Sequence, residues 1–366
     1  MSDKANRRLA PLKGRGSQSR VDGRFEERTF EATDDGWGSV YAALEEAPAL
    51  RTTVTSETAR SIISYNQSPD VPFSHSVNPY RGCEHGCVYC FARTTHAYLG
   101  LSPGLDFETK LFAKDNAAEK LLEDLSKPSY VPSPIALGIN TDGYQPIERE
   151  REITRACLQV LHDTNHPLSI VTKGHLVERD IDLLAPMAAK GLAHVFVSIT
   201  SLDNKLSSKL EPRATAPHRR LQMLRTLSDA GIPTGVLVAP VIPMITDMEF
   251  ENILEASREH GALCAGYVML RLPHELKEVW REWLSLHFPE RAEHVMSLLN
   301  QMHGGKDYSS EHHTRMKGQG VFADLLRMRF AKAKRRYDLQ SNLPPLRTDL
   351  FVKPRKPSQQ GDLFGF

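Results

Sequence analysis

Short, almost continuously apolar runs alternate with helical stretches through the middle of this 366-residue chain. This alternation limits the fold more than any other feature, because such runs are typical of strands buried on both faces of a sheet. The predicted strands cover residues 74–80, 135–141, 168–172, 195–200, 235–241 and 266–272. The predicted helices lie near residues 115–126, 148–163, 179–190, 216–230 and 248–260. Repeated β–α units predict parallel strands joined by right-handed crossovers, and hence an α/β fold.

The two ends of the chain differ from this middle part. Residues 1–20 contain six Lys or Arg residues and one acid, so we expect a basic arm without fixed structure. Residues 342–366 carry four prolines among charged residues, which predicts a flexible tail. The expected division is an arm and lead-in at 1–60, a core at 61–290, a helical extension at 291–341 and the tail at 342–366.

Composition places the chain among ordinary globular proteins. It is 40% hydrophobic and 25% charged, and its net charge of +1 gives no global signature of a polyanion-binding protein. Affinity for nucleic acid would therefore have to come from local patches. No apolar run approaches the length of a membrane span. The odd number of cysteines and the absence of a signal peptide at the start predict a reducing, cytoplasmic compartment.

Three of the five cysteines, Cys83, Cys87 and Cys90, form a C-x3-C-x2-C motif directly after the first predicted strand. Thiolates so close in sequence share one loop and are able to face one metal centre. A cubane iron–sulfur cluster has four irons and usually takes four cysteines, so three cysteines leave one iron open. An open coordination site is typical of a metal centre that performs chemistry. Cys157, in a helical pattern, and Cys264, before a strand, are predicted to be structural.

Zinc is the main alternative for this motif. His75, His85 and His96 flank the cysteines, and zinc accepts mixtures of Cys and His ligands. Zinc sites of this kind usually use paired C-x2-C units, however, and the chain has no second pair. The cluster is therefore the favoured interpretation, with a non-enzymatic zinc-binding module as the distant alternative.

The C-x3-C-x2-C motif resembles the signature of the radical S-adenosylmethionine (SAM) superfamily. The surrounding words Ser-Pro-Asp-Val-Pro-Phe at 68–73, Asn-Pro-Tyr-Arg-Gly-Cys at 78–83 and Thr-Asp-Gly-Tyr-Gln-Pro-Ile-Glu at 141–148 resemble its branch related to spore photoproduct lyase. The resemblance covers about residues 60–340. It implies a partial TIM-like (β/α)6 barrel.

The resemblance also implies a reaction and its cofactors. A [4Fe–4S] cluster on the three cysteines would bind SAM through the open iron and cleave it reductively. The resulting 5′-deoxyadenosyl radical would abstract hydrogen from a substrate. An electron donor such as flavodoxin or ferredoxin is the implied partner.

Residues that follow the strands are candidates for the SAM site, because ligands bind at the carboxyl ends of parallel strands. Asp142 stands where the superfamily often has a Gly-Gly-Glu motif, and is expected to accept from the SAM ammonium or to be an ordinary turn residue. Arg213 is expected to pair with the SAM carboxylate or with a nearby acid. Ser198 and Thr200 would bond the ribose or satisfy backbone groups. Tyr89 would pack against adenine.

The expected substrate is a nucleic acid or nucleotide, for instance one met in DNA repair, and the alternative is RNA, protein or a small metabolite. Spore photoproduct lyase uses a cysteine as hydrogen donor, and no cysteine here has a matching context, so its activity on thymine dimers is not transferred. Candidates for substrate binding and catalysis at the barrel mouth are Lys173, Tyr144, Tyr267 and Arg271.

Two segments near the C-terminus suggest macromolecular partners. Residues 329–336 give a predicted helix a basic face, which either contacts nucleic acid or is solvated while the helix docks on the barrel. Gln360–Phe364 reads Gln-Gly-Asp-Leu-Phe and resembles the pentapeptide by which bacterial repair and replication proteins bind the sliding clamp. The second position is Gly rather than Leu, so chance is the alternative explanation of this match.

Overall fold

The structure is a computed structural model that describes residues 12–26 and 51–354. Its strands are β1 (Thr53–Glu57), β2 (Ile63–Tyr65), β3 (His75–Val77), β4 (Tyr80–Arg81), β5 (Lys110–Lys114), β6 (Ile135–Leu137), β7 (Leu168–Thr172), β8 (Ala193–Ser198), β9 (Thr234–Val241) and β10 (Cys264–Met269). Its α-helices are α1 (Asp106–Thr109), α2 (Ala117–Ser126), α3 (Glu148–Arg151), α4 (Ile153–Asp163), α5 (Ile181–Ala189), α6 (Asn204–Leu210), α7 (Pro217–Asp229), α8 (Phe250–Glu259), α9 (Leu276–His287), α10 (Ala292–Met302) and α11 (Val321–Arg336). Short 3-10 helices lie at Phe91–Leu99, His175–Asp180 and Asp247–Glu249.

The main sheet confirms the predicted α/β fold. It has seven strands in the order β10-β9-β8-β7-β6-β3-β2. From β3 to β10 every neighbouring pair is parallel, and β2 is antiparallel to β3. The parallel strands follow one another in chain order, as right-handed β–α crossovers produce. Their carboxyl ends therefore lie along one edge, which is where a ligand site is expected.

Strand and helix predictions agree with the structure except at their ends. The predicted strand 135–141 stops at Leu137, because Gly138 turns the backbone with a φ of +79°. A Cβ on Gly138 would lie 2.1 Å from the carbonyl oxygen of Val171, so only glycine fits at this turn. The predicted strand 74–80 divides into β3 and β4, and β4 pairs instead with β5 in a separate sheet of order β1-β5-β4.

The helical extension packs against the barrel through its apolar side. Phe330 on α11 stacks on Phe250 of α8 with 5.5 Å between ring centroids, and Leu326 is fully buried. Arg329 reaches back to the carboxylate of Glu251 at 2.7 Å. Leu325 and Met328 on the same helix are exposed, because the buried stripe runs through Ala323, Leu326 and Ala333.

Both predicted flexible ends are partly wrong. Residues 12–20 do not form a free arm, since Ser17 is fully buried and Arg15 nearly so. Residues 342–354 of the tail also lie on the core, where Phe351 packs against His166 with 5.2 Å between ring centroids and the Val352 N–H donates to Thr164 at 2.8 Å. The clamp-like segment Gln360–Phe364 lies outside the described residues. Across the parts of the chain described, no helix is both long and apolar enough to cross a membrane.

Candidate metal centre and cofactor site

The three motif cysteines lie on the loop between β4 and the 3-10 helix Phe91–Leu99, and they line one cavity of about 200 Å³. Gly82 and Gly86 let this loop turn back on itself with φ values of +74° and +66°. A Cβ on Gly82 would lie 2.6 Å from the Leu111 side chain, so the loop also sits too close to the neighbouring strand for a larger residue.

The cavity opens at the carboxyl edge of the main sheet, as predicted. Its walls come from the loops after β6, β7 and β10 and from residues of β7, β8, β9 and β10 themselves, so that five parallel strands contribute to it. The lining residues that carry polar or charged groups besides the cysteines are His85, Asn140, Thr141, Asp142, Thr172, Lys173, Ser198 and Arg271.

The thiols fit a cluster that takes three thiolates. Burial first, and then the negative charges of Asp142 and the other thiols, raise the pKa of Cys83 well above its usual value. Burial likewise raises the pKa of Cys87 to about 12. Thiolates in this cavity therefore need a nearby positive charge, which the iron core of a cluster supplies. Cys157 and Cys264 are buried elsewhere and line no part of this cavity, in agreement with their predicted structural role.

The flanking histidines are committed to other partners. His75 bonds Ser74 at 2.7 Å, His96 bonds the Lys110 carbonyl at 2.9 Å, and His85 faces Asp142 at 3.3 Å. Among the described residues, no three Cys, His, Asp or Glu side chains converge as ligands of a single ion. A cubane cluster does not require its ligands to converge on a single ion, because each thiolate binds a different iron. The geometry of the described residues thus gives no support to the zinc alternative.

Asp142 supports the cavity floor through its hydrogen bonds. One carboxylate oxygen accepts from the Tyr144 N–H at 2.9 Å and the Thr172 hydroxyl at 2.8 Å. The other accepts from the Lys173 N–H at 2.7 Å and faces His85. Burial opposes ionisation, but His85 and these backbone donors outweigh it and lower the pKa of Asp142 to about 2.

A carboxylate has about four lone-pair sites, and the four protein groups around Asp142 use them. These contacts agree with the turn-residue alternative and give Asp142 a positioning role, while its predicted contact with an ammonium group stays a prediction. Asp142 ties the loop after β6 to the loop after β7 and to the cysteine loop, which together form one side of the cavity.

Two cations line the cavity without a carboxylate within ion-pair distance in the described part of the chain. The Lys173 ammonium lies 5.9 Å from the Tyr89 ring centroid. The Arg271 guanidinium lies 4.7 Å from the Phe91 ring centroid at the mouth, and burial lowers the pKa of Arg271. A cation in such surroundings favours an anionic ligand. Two of the four predicted mouth residues, Lys173 and Arg271, thus lie at the cavity, and Phe91 is an exposed residue of its wall.

Tyr89 lines the cavity with its ring, while its hydroxyl points into a buried network. The hydroxyl donates to Glu211 and lies 3.2 Å from Thr200, whose own hydroxyl donates to Glu211 at 2.7 Å. Thr200 therefore lies behind the cavity wall, where its hydroxyl also lies 3.2 Å from the Ala239 carbonyl, as in the backbone alternative. Its predicted contact with a ribose stays a prediction. Ser198 does line the cavity, so its predicted contact stays a prediction.

Glu211 and Arg220 form a fully buried ion pair behind Tyr89. Arg220 also donates to the carbonyl oxygens of Thr215 at 2.6 Å and Ser198 at 2.9 Å. Burial would raise the pKa of Glu211, but Arg220 and Lys173 outweigh it and lower that pKa to about 2. The pair thus joins the cysteine loop to β8 and α7.

Three other predicted site residues lie away from this cavity. Arg213 pairs with Glu84 at 3.1 Å and lines a neighbouring cavity of about 300 Å³, together with Tyr144. The Tyr144 hydroxyl donates to Asp180 at 3.2 Å. Tyr267 points to the outer side of the sheet, where its ring packs against Phe330 of α11 with 4.7 Å between centroids. The ion pair between Arg213 and Glu84 agrees with the second interpretation of Arg213, a contact with a nearby acid.

Comparison with known proteins places the chain in a family. A model of the radical SAM superfamily matches residues 77–256. An uncharacterized protein of Mycobacterium tuberculosis is 36% identical over 230 residues, which are 62% of this chain and 68% of the relative. An uncharacterized protein of Methanocaldococcus jannaschii is 30% identical over 174 residues, 48% of this chain and 62% of the relative. The chain belongs to the radical SAM superfamily, whose cofactors are a [4Fe–4S] cluster and SAM.

Solved structures show the same fold. Spore photoproduct lyase complexed with dinucleoside spore photoproduct has a TM-score of 0.55 at 15% sequence identity, over 85% of this chain and 84% of that one. A mutant of the same lyase with bound AdoMet and the dinucleoside has a TM-score of 0.51 at 14% identity, over 86% and 85%. At these identities the likeness concerns the fold, a partial barrel as predicted.

The buried charges around the cysteine loop are not among the residues predicted from the sequence. Arg93 and Glu108 form a second ion pair at 2.5 Å, with both side chains fully buried. Arg93 follows the motif closely, and an arginine inside an apolar stretch such as Phe-Ala-Arg is a usable signal. Glu108, Glu211 and Arg220 stand among ordinary charged residues, and nothing local in the sequence marks them as buried.

The cysteine assignment predicts how iron binding responds to substitution. Anaerobically reconstituted protein should bind about four irons per chain, as one cubane does. Changing Cys83, Cys87 or Cys90 to Ala should abolish this binding, while Cys157→Ala and Cys264→Ala serve as matched controls that keep it. Iron and sulfide analysis checks the result, and full iron content in any of the first three variants would contradict the assignment.

The buried pair predicts a large loss of stability on neutralising one partner. Glu211→Gln should lower the free energy of unfolding by about 3–5 kcal/mol, because it leaves the Arg220 charge buried without its partner. Glu178→Gln removes the partner of the more exposed Arg219 and should cost at most about 1 kcal/mol. Denaturant unfolding of the metal-free proteins measures both, and equal losses would rule out a special role for the buried pair.

Proposed function

We propose that this chain is a radical SAM enzyme that holds a [4Fe–4S] cluster through Cys83, Cys87 and Cys90 and acts on a nucleic acid. The bound cluster and SAM supply a 5′-deoxyadenosyl radical that abstracts hydrogen from the substrate. The observation that carries the proposal is the convergence of three thiols in one cavity, at the edge where the parallel strands end. No other cysteine of the described residues lines that cavity, so the fourth iron would be left for SAM.

We assign the residues that line the cavity to two ligands, SAM inside it and the substrate at its mouth. Lys173 lies near Cys87 and Cys90 and suits the carboxylate of SAM, in place of Arg213. Tyr89 and Ser198 provide a ring face and a hydroxyl for the nucleoside part of SAM. Arg271 and Phe91 stand at the mouth, where they would meet the substrate. An arginine lying over an aromatic ring suits both a phosphate and the face of a base.

Two further observations support nucleic acid as the substrate class over protein or a small metabolite. The solved lyase with the same fold is complexed with dinucleoside spore photoproduct. The basic helix α11 docks through its apolar side and leaves Arg335 and Arg336 exposed. Among the described residues, no cysteine besides Cys83, Cys87 and Cys90 lines the cavity, so the thymine-dimer reaction of that lyase is not included in this proposal.

The other partners follow from the same proposal. Reductive cleavage of SAM needs one electron, which a flavodoxin or a ferredoxin would deliver. The segment Gln360–Phe364 would attach the enzyme to a sliding clamp, and this would bring it to replicating or repaired DNA.

The proposed SAM site predicts different effects for two cations. Reduced, reconstituted protein should convert SAM slowly to 5′-deoxyadenosine and methionine without substrate. Lys173→Ala should weaken SAM binding by about 1.5–3 kcal/mol, because a charge-assisted hydrogen bond is lost. Arg213→Ala should leave it unchanged, because Arg213 lines the neighbouring cavity. Equilibrium dialysis with labelled SAM measures both, and the reverse order of effects would refute the assignment of Lys173.

The substrate proposal predicts a salt-dependent interaction with DNA. Binding of an oligonucleotide should weaken steeply as salt rises, because phosphate contacts release counterions. The double variant Arg335→Glu and Arg336→Glu should flatten the slope of log K against log salt. Arg271→Ala should keep the substrate-free cleavage of SAM while losing its stimulation by a substrate oligonucleotide. Fluorescence anisotropy over a salt series and 5′-deoxyadenosine release are the measurements.

A matched control separates specific contacts from general charge. Arg347→Glu changes an exposed arginine that is paired locally with Asp349, outside α11. It should leave the salt slope unchanged. A slope that is equal in wild type and in the α11 variant would favour a purely structural role for the helix, and RNA, protein or a small metabolite as the substrate.

A further inference from the structure

The outer side of the cysteine loop is covered by residues 15–21, which we call the N-terminal cap. Gly16 lies directly against Gly86, which stands between Cys83 and Cys87 in the loop. A Cβ on Gly16 would be 1.8 Å from the Gly86 carbonyl oxygen. The two backbones are therefore in direct contact, and only glycine at position 16 permits this approach. The family model matches residues 77–256 and so does not include the cap.

The carboxylate of Glu108 fastens the cap to the loop. Its Oε2 accepts from the Gly16 N–H at 3.0 Å, and its Oε1 accepts from the Ser17 N–H at 2.8 Å. The Arg15 guanidinium donates to the backbone carbonyl of Glu108 at 3.1 Å. Glu108 and Ser17 are fully buried. A buried carboxylate requires partners of this kind, and without the cap two of its hydrogen bonds would be lost.

Arg93 connects the same carboxylate to the backbone that carries the cysteines. Its guanidinium donates to Glu108 at 2.5 Å, to the Cys87 carbonyl at 2.8 Å and to the Gly86 carbonyl at 3.0 Å. Two further bonds go to the carbonyls of Pro103 at 3.2 Å and Gly104 at 2.9 Å. All five N–H donors of the guanidinium are thereby used. Cap, Glu108, Arg93 and cysteine loop form one continuous hydrogen-bonded unit.

The cap continues along elements that support the loop. Ser19 accepts from the Leu105 N–H at 3.2 Å through its carbonyl, and the Val21 carbonyl accepts from the Ser102 hydroxyl at 2.5 Å. Gly104 also approaches the cap closely, since a Cβ there would lie 2.3 Å from the Ser19 carbonyl. These contacts involve the loop from the 3-10 helix to α1 rather than the parallel strands.

We infer that the N-terminal cap is part of the cluster site, and that docking of the cap and binding of the cluster stabilise each other. The inference rests on the proposed cluster at Cys83, Cys87 and Cys90. A docked cap holds the Gly86 and Cys87 peptide units in the conformation that presents the thiols. By linkage, a cluster that fixes the loop must favour the docked cap by the same factor. Glu108 and Arg93 are the positioning residues of this coupling.

The first test uses the trypsin sites that the segment itself provides. Cleavage after Arg15 and Arg20 would be timed by mass spectrometry in metal-free and in reconstituted wild-type protein. The inference predicts at least about fivefold slower cleavage at these two sites once the cluster is bound. Equal rates in the two forms would overturn it. Cleavage at sites in α11, remote from the loop, is the internal reference.

The second test disrupts the contact between Gly16 and Gly86 by adding a methyl group that does not fit there, without changing any charge. Gly16→Ala should release the cap and speed the loss of iron to a chelator at least about fivefold, while Lys13→Ala, an exposed neighbour, should match wild type. Glu108→Gln weakens the carboxylate that holds the cap and should also speed the loss of iron to the chelator. Thermal unfolding of the metal-free proteins shows whether the variants remain folded.

The outcomes separate this inference from the proposed function. Wild-type protein that takes up no iron would refute the proposed cluster itself. If wild type and Gly16→Ala both take up iron and lose it at the same rate, while trypsin cleaves the variant's cap freely, only the coupling is refuted. Faster loss of iron in both Gly16→Ala and Glu108→Gln, with unchanged Lys13→Ala, is the result that supports it.

Discussion

The position of the cysteine loop depends on buried charge. Arg93 and Glu108 hold its outer side, and Glu211 and Arg220 hold its inner side through Tyr89. Buried ion pairs are costly to form, because the desolvation of both ions offsets their attraction. Once formed and fully hydrogen-bonded, however, they fix geometry, since any displacement leaves a charge unpaired. Three thiols on a turning loop need such restraint if they are to meet one cofactor.

The barrel and the loop contribute different things to the site. Parallel strands bring polar residues from several loops to one edge, which explains why Lys173, Ser198 and Arg271 share a cavity although they are far apart in sequence. The loop contributes the thiols. Asp142 joins the two, because it accepts from the loop after β7 and faces His85 of the cysteine loop. The expected effect is a cavity with rigid walls and cations aimed at anionic ligands.

Much of the fold could be predicted from the sequence because its signals are local. The strands appear as apolar runs, and the cysteine spacing is itself the signature of the centre. Site residues were harder, because a small shift along a strand end moves a side chain to the other side of the wall. Ser198 is the last residue of β8 and lines the cavity, whereas Thr200 follows the end of the strand, where the alternation stops, and lies behind the wall. The cap was predicted to be an arm without fixed structure because its composition is basic. Its docking depends instead on the Gly16–Gly86 contact and on Glu108, which is distant in sequence.

The central claim is that three cysteines leave one iron of the cluster free to bind SAM. The most direct measurement is electron–nuclear double resonance on the reduced, reconstituted protein with SAM that carries oxygen-17 in its carboxylate. We expect a hyperfine coupling between that oxygen and the cluster, which is absent without SAM and absent in Cys83→Ala. A reduced cluster whose spectrum is unchanged by SAM and shows no coupling would contradict it.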